Sequence, residues 1–354
     1  MARFSGHLNT NEVIAALYNM IISIQTFADN IDGLDDSLVN KFRVDGGLYG
    51  DTKLYISTDA LESHEWGNDA ESLNLLALDR PPEPYTQAID IDEFRQIRVS
   101  LDNYMTKRAF DGEGSFAQFN GVIKSWLGDT KKIYDTTRFN VFVGTTESAE
   151  GKQTVELTIP TVEGDAEATN RLEAQTIAQE VADLLVELKD VSRDYNDLGY
   201  IRAYKPSDLV LIWNSDFYNK IAKLDLPTIF HKDGMFDGIK QEVLPAKYFG
   251  VINEDDTDGG ANIHSLVEQT IGNKHYFAGE AIKEGPVDAG TSYTADGKVI
   301  CKIVHKNSIP YMSSFEVGTS FFNPRSLTET NYLTFGRNSL EYLANYPFIT
   351  VKKA

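Results

Sequence analysis

Between Gly47 and Tyr104 apolar residues fall on every second position in two separated runs. In GDTKLYIST (Gly50 to Thr58), Leu54 and Ile56 alternate with Lys53, Tyr55 and Ser57, the period of a strand with one face covered. An acidic tip, LESHEWGNDAESLN, follows with Gly67, Asn68 and Asp69 as turn formers, and the apolar run Leu75, Leu76, Leu78 leads back. Arg80-Pro81-Pro82-Glu83-Pro84 is a stiff extended spacer, because proline fixes φ and restricts the residue before it. In Ile89 to Tyr104, Ile97, Val99 and Leu101 then alternate with Gln96, Arg98 and Ser100, the return strand docked on a larger body. The pattern predicts a long arm too polar to hold its own core. A two-stranded ribbon is marginal in water, so the arm needs a second surface, such as that of another subunit.

Elsewhere the period lengthens. Asn9 and Glu12 form a capping box ahead of Val13, Ile14, Leu17, Ile21, Ile24 and Phe27, which share one helical face. Asp111 to Phe139 carries Phe116, Phe119, Val122, Ile123, Trp126, Leu127 and Ile133 at three- and four-residue spacing. This predicts a long spine helix capped near Ser115, with Trp126 on its packed face and Gly128 as its weak point. FNVFVG (Phe139 to Gly144) and QTVELTIP (Gln153 to Pro160) predict a hairpin around TTESAEGK. The next stripe, Ile177, Val181, Leu184, Leu185, Leu188 and Val191, predicts a second helix, capped by Thr169. DLVLIWN (Asp208 to Asn214) is a continuous apolar run, the mark of a strand buried on both faces. Strands are expected again at KHYFAGEAI and KVICKIVHK, and in the aromatic end Thr330 to Lys353.

The 354 residues, 42% of them hydrophobic, suffice for two or three compact units. A net charge of -20 argues against nucleic-acid binding by surface charge, which needs clustered cations, but not against enclosing nucleic acid. One cysteine, Cys301, excludes an intrachain disulfide and any Cys-based metal pattern. No run approaches the ~20 apolar residues of a membrane helix. Only Arg3 precedes the apolar run Val13 to Ile24, and no small-residue cleavage site follows, so the expectation is a protein made and kept in the cytoplasm.

Catalytic and metal motifs are fragmentary. Glu254, Asp256, Asp258 and Gly259 fall on the first, third, fifth and sixth positions of a calcium loop, but the twelfth is Ser265 instead of a bidentate Glu. A solvated acidic loop accounts for them better. Gly112 to Ala117 matches a dinucleotide fingerprint without the preceding buried strand it requires, and reads as a tight turn into the helix. His64-Glu65 lacks the second zinc-binding His, Asn68 standing there, and no nucleophile elbow occurs.

The order of elements resembles the major capsid proteins of tailed bacteriophages, the Hong Kong 97 fold. Three stretches carry the likeness. GDTKLYIST followed by YTQAIDIDEFRQIRVSLDNY is similar to the extended loop of that family and its return strand. VSRDYNDLGYIR, SDLVLIWNSDFYNKIAKLDLP and VLPAKYFGVI resemble the axial-domain segment of small podovirus capsid proteins, and SFFNPRSLTETNYLTFGRNSLEYLANYPFITV their last peripheral-domain strands. The resemblance implies an α+β fold: N-terminal arm 1–46, extended β-hairpin loop 47–95, peripheral domain with spine helix 96–199, axial α/β domain 200–315, and a return to the peripheral domain over 316–354. It implies hexamers and pentamers of an icosahedral shell around double-stranded DNA, held without sequence-specific binding. Its partners would be a separate scaffolding protein, a portal protein and, in some shells, decoration proteins. It implies neither an enzyme nor a cofactor. Some members crosslink a loop lysine to a neighbour's asparagine; Lys53 is the candidate lysine, but no partner residue is identifiable. Lys53, Tyr55, Trp66, Arg80, Arg95 and Arg98 are the expected subunit-contact residues.

Two other readings remain at this stage. A tail or baseplate component would also be acidic and strand-rich. A cytoplasmic α/β enzyme would use a metal or nucleotide site around the acidic loop.

Overall fold

The computed structural model describes residues 37–44, 50–63, 80–102, 113–148, 151–160, 162, 164–223, 239–253, 292–295 and 297–354. The predicted N-terminal helix, the arm tip, the Glu254 loop and KHYFAGEAI lie outside them. In chain order the elements are α1 (Leu38–Lys41), β1 (Arg43–Val44), β2 (Thr52–Ser57), β3 (Tyr85–Asp90), β4 (Glu93–Asp102), the spine helix α2 (Glu113–Thr145), β5 (Thr154–Leu157), α3 (Ala166–Glu187), β6 (Leu209–Asn214), α4 (Ser215–Lys223), β7 (Lys240–Leu244), β8 (Gly250–Asn253), β9 (Ser292–Ala295), β10 (Val299–His305), β11 (Tyr311–Asn323), β12 (Thr328–Arg337) and β13 (Phe348–Lys353).

A five-stranded mixed sheet, ordered β5-β13-β10-β6-β7, holds the main core. Strand β6 is buried throughout, as its unbroken apolar run requires. Its residues divide by the period of two: Leu209, Leu211 and Trp213 join Ile177, Val181, Leu184 and Leu185 of α3 on one side. Val210 and Ile212 join Phe139, Phe142 and Val143 of the spine helix on the other. The sheet is thus sandwiched between two helices, which is the covering that strands buried on both faces need. A four-stranded sheet, β1-β11-β12-β4, packs beside the spine helix. There Tyr134 meets Phe335 edge-on at 6.3 Å between ring centroids.

Several expectations change. FNVFVG is the last part of the spine helix and not a strand, and β5 pairs in parallel with β13 instead of forming a hairpin. Residues 139–143 are buried on every side, so these β-branched and aromatic residues satisfy a fully enclosed helix end, and tertiary burial overrides their strand propensity. Gly144 then permits a close approach, since a Cβ there would stand 2.0 Å from the carbonyl oxygen of Tyr248. The second helix is capped by Asp165, whose carboxylate accepts from the Glu167 and Ala168 amides; Thr169 lies inside the first turn. The return strand divides at Ile91-Asp92: β3 pairs with β2, while β4 leaves to pair with β12.

Candidate subunit-contact surface

The root of the arm is fastened to its own subunit. In the antiparallel β2–β3 ribbon, Lys53 stands opposite Ile89 and Tyr55 opposite Gln87. Tyr55 packs with Ile89, Ile91, Met312, Leu343 and Tyr346, and burial raises its phenol pKa. Gln87 donates from Nε2 to the Tyr342 carbonyl at 3.0 Å and accepts from the Ala344 amide at 3.1 Å, clamping the ribbon to backbone. Arg202 donates to the Thr58 carbonyl at 2.6 Å. The Ile201 amide first, and Arg193 second, hold the Asp59 carboxyl down at about 2.

This fastening decides which way the ribbon faces. Its polar-looking face, Tyr55 and Ser57, points at the body, and the apolar positions point away: Leu54 is 65% exposed and Ile56 66%. Leu61, just beyond the ribbon, is exposed as well. On the spine helix Trp126 is 56% exposed, not packed against its own subunit. Leaving such side chains in water forgoes about 1.5 to 3 kcal/mol each that burial would supply. The sequence marked Leu54 and Ile56 as a face needing cover without saying which body supplies it, and placed Trp126 on a packed face that its own subunit does not cover.

At the base of β4 lies a buried ion cluster that sequence reasoning missed. Arg138 of the spine helix donates to Glu93 at 2.6 Å, and Arg337 of β12 lies 2.5 Å from Asp135 and 3.4 Å from Glu93. Arg337 also sits 4.0 Å from the Tyr134 ring centroid. Arg95 lies 5.4 Å from the centroid of the same ring and is half-buried, whereas Arg98 on the opposite face of β4 is exposed. Arg80 is exposed at the start of the proline spacer. Trp66, Glu254, Asp256 and Asp258 lie outside the described residues. Of the expected contact residues that are described, Tyr55 and Arg95 pack on their own subunit while Arg80 and Arg98 are exposed. Among the described residues no cluster of His, Cys, Asp and Glu is arranged to hold a metal, and no helix is long and apolar enough to cross a membrane.

A fastened arm with an apolar outer face is a geometry for association, and comparison with known proteins agrees. The Phi29-like phage major capsid protein family matches residues 6–345. The chain belongs to that family. The capsid structure of Staphylococcus phage Andhra superposes with a TM-score of 0.64 at 11% identity, over 90% of this chain and 84% of that one. A structure of head fiber and inner core protein gp22 of native bacteriophage P68 superposes with a TM-score of 0.57 at 12% identity, over 88% and 83%. Comparison with curated proteins returns no match. The fold is that of phage capsids, and this major capsid protein is a component of the virion shell, built from many copies.

Proposed function

We propose that each capsid subunit lays its arm across the spine helix of a neighbour, so that the outer face of one covers the exposed face of the next. The observation that carries this is the outward apolar face of the β2–β3 ribbon, Leu54 and Ile56, which its own subunit leaves in water. Trp126 on the spine helix is the corresponding uncovered anchor, an aromatic of the kind that dominates interfaces. Folding then leaves each subunit incomplete, and assembly supplies the missing burial. In this reading Lys53, Trp66 and Arg80 of the loop and Arg98 of β4 supply further contacts to neighbours, while Tyr55 fastens the ribbon to its own body.

The chain divides in this reading into arm 1–46, extended loop 47–95, peripheral domain 96–199, axial domain 200–315 and peripheral return 316–354. Its role is mechanical, with no catalytic step. Assembly takes place in the host cytoplasm with a scaffolding protein and a portal protein, and the shell encloses double-stranded DNA. A net charge of -20 suits that role, since an acidic wall repels phosphate and lets DNA pack without adhering. The same charge opposes subunit association at low salt, so burial and strand pairing must outweigh it.

The test replaces residues 60–83 with a short Gly/Ser bridge, keeping the fastened ribbon. The variant, expressed with its native neighbouring genes, is expected to give folded subunits and no shells by sedimentation and electron microscopy. Normal shells would remove the arm from the mechanism.

A further inference from the structure

Residues 192–202 form a short loop that closes on itself. Ser192 and Arg202 exchange both backbone hydrogen bonds at 3.0 Å, and between them the Asn196 side chain accepts from the Tyr200 amide at 2.9 Å and donates to its carbonyl at 2.8 Å. The Asp197 carboxylate ties the loop to the core. It accepts from the Ser148 and Tyr342 hydroxyls, each at 2.6 Å, and from the Gln153 side-chain amide. The Asp197 backbone amide donates to the Ala344 carbonyl at 3.0 Å, and Arg202 donates from Nε to the Asn345 side chain at 2.9 Å. Tyr342 and Ala344 are the residues that Gln87 of the ribbon also grips. Loop and ribbon therefore stand on one anchor, and the shared polar network fixes each relative to the other.

The loop reaches past the end of the ribbon. Ser57 is the last paired residue of β2. On the next residue, Arg202 donates from Nη2 to the Thr58 carbonyl at 2.6 Å. One Asp59 carboxylate oxygen then accepts from the Ile201 amide at 2.9 Å, and the other from Arg193 Nη1 at 2.7 Å. The same Arg193 nitrogen donates to the Gly199 carbonyl at 2.7 Å, which holds the planar guanidinium in place. Two residues beyond Asp59, Leu61 is 72% exposed. The returning leg, residues 80–84, is exposed throughout. An exposed ion pair such as Arg193 with Asp59 contributes little to folding. Its effect is on direction.

We propose that Arg193 and the Ile201 amide, acting through Asp59, are positioning groups for assembly: they set the line on which the arm leaves the body, and with it the place of Leu61 relative to Leu54 and Ile56. The inference rests on the reading that the arm reaches a neighbour, and adds what aims it. A chain pinned at Asp59 presents the same apolar surface in every copy, and that surface has less freedom left to lose when a neighbour covers it.

A series at one position tests it. Arg193→Lys keeps a cation within reach of Asp59, Arg193→Ala removes it, and Arg193→Glu repels the carboxylate. With the native neighbouring genes present, shell yield should fall in that order, close to the parent for lysine and several-fold lower for glutamate. The urea midpoint of the dispersed subunit should stay near the parent's in all three. Asp59→Ala should lower yield at least as far as Arg193→Ala, and the two combined should do no worse than Asp59→Ala alone, because both act through one carboxylate.

Parent yields from Arg193→Glu and Asp59→Ala overturn the proposal. So does a urea midpoint that falls in step with yield, since the contacts would then hold the body together instead of aiming the arm. Parent yields from these variants, with no shells from the arm-shortened chain, would remove the aiming role and keep the arm; normal shells from that chain remove both.

Discussion

Glu93 and Arg138 meet in a 2.6 Å ion pair that joins the first residue of β4 to the spine helix, and the arginine there is 1% exposed. The pair fixes the point where the arm leaves the body. Arg337 stands 3.4 Å from the same carboxylate, so one glutamate faces two buried guanidinium groups.

Glu93→Gln should therefore destabilise the dispersed subunit by about 3 kcal/mol, because a buried cation is left without its counter-charge. Urea unfolding measures this. A loss below about 0.5 kcal/mol would mean that Asp135 alone satisfies both arginines.

Trp126→Ala separates folding from assembly. With the ring more than half in water, the substitution should change subunit stability by less than about 1 kcal/mol, far short of the roughly 3 to 5 kcal/mol of a buried indole. Shell yield should nevertheless fall sharply. Equal yields from both proteins would show that no neighbour covers this face.

His305 sets a lower pH limit. Its imidazole is stacked on Tyr346 at 4.4 Å and lies 5.9 Å from Tyr204, and burial pulls its pKa from 6.5 to about 4, with Asp208 opposing. The unfolded chain takes up the proton first as pH falls. The contribution is complete above 6.5 and is lost on going down through about 4, costing roughly 2 to 3 kcal/mol. His305→Phe should flatten the unfolding midpoint across that window.

Lys302 acts at higher pH. It is fully buried on β10, donates to the Thr146 carbonyl just past the spine helix, and lies 5.3 Å from the Phe348 ring centroid. Burial lowers its pKa from 10.5 to about 7, Glu147 opposing and Lys352 assisting. Between those values the unfolded chain holds the proton and the folded one has released it, so stability rises with pH. Lys302→Met should abolish the rise and be neutral or stabilising at pH 7, as titration of unfolding midpoints will register.

The strands and helices of the body were legible because burial imposes its period on the sequence: DLVLIWN could only be an enclosed strand, and Ile177 to Leu188 only a packed stripe. FNVFVG misled because a helix enclosed on all sides has no polar face, leaving strand propensity as the only local signal. Trp126 misled for a related reason, and the cover of Leu54 and Ile56 stayed open for the same one. Periodicity says that a residue wants cover but not which chain provides it. The ion cluster was invisible, since Glu93, Asp135, Arg138 and Arg337 look like ordinary surface charges until the fold brings β4, the spine helix and β12 together.

Strand β13 lies inside the five-stranded sheet, antiparallel to β10 and parallel to β5, though it follows both in the chain. During synthesis β5 therefore waits for β13, its one partner strand among the described residues, on the order of ten to forty seconds at ribosomal rates. Until residue 348 emerges, β10 keeps one bare edge and the body cannot close. The strand that closes this sheet is made after all four of its companions, so the sheet is completed only when they are already present.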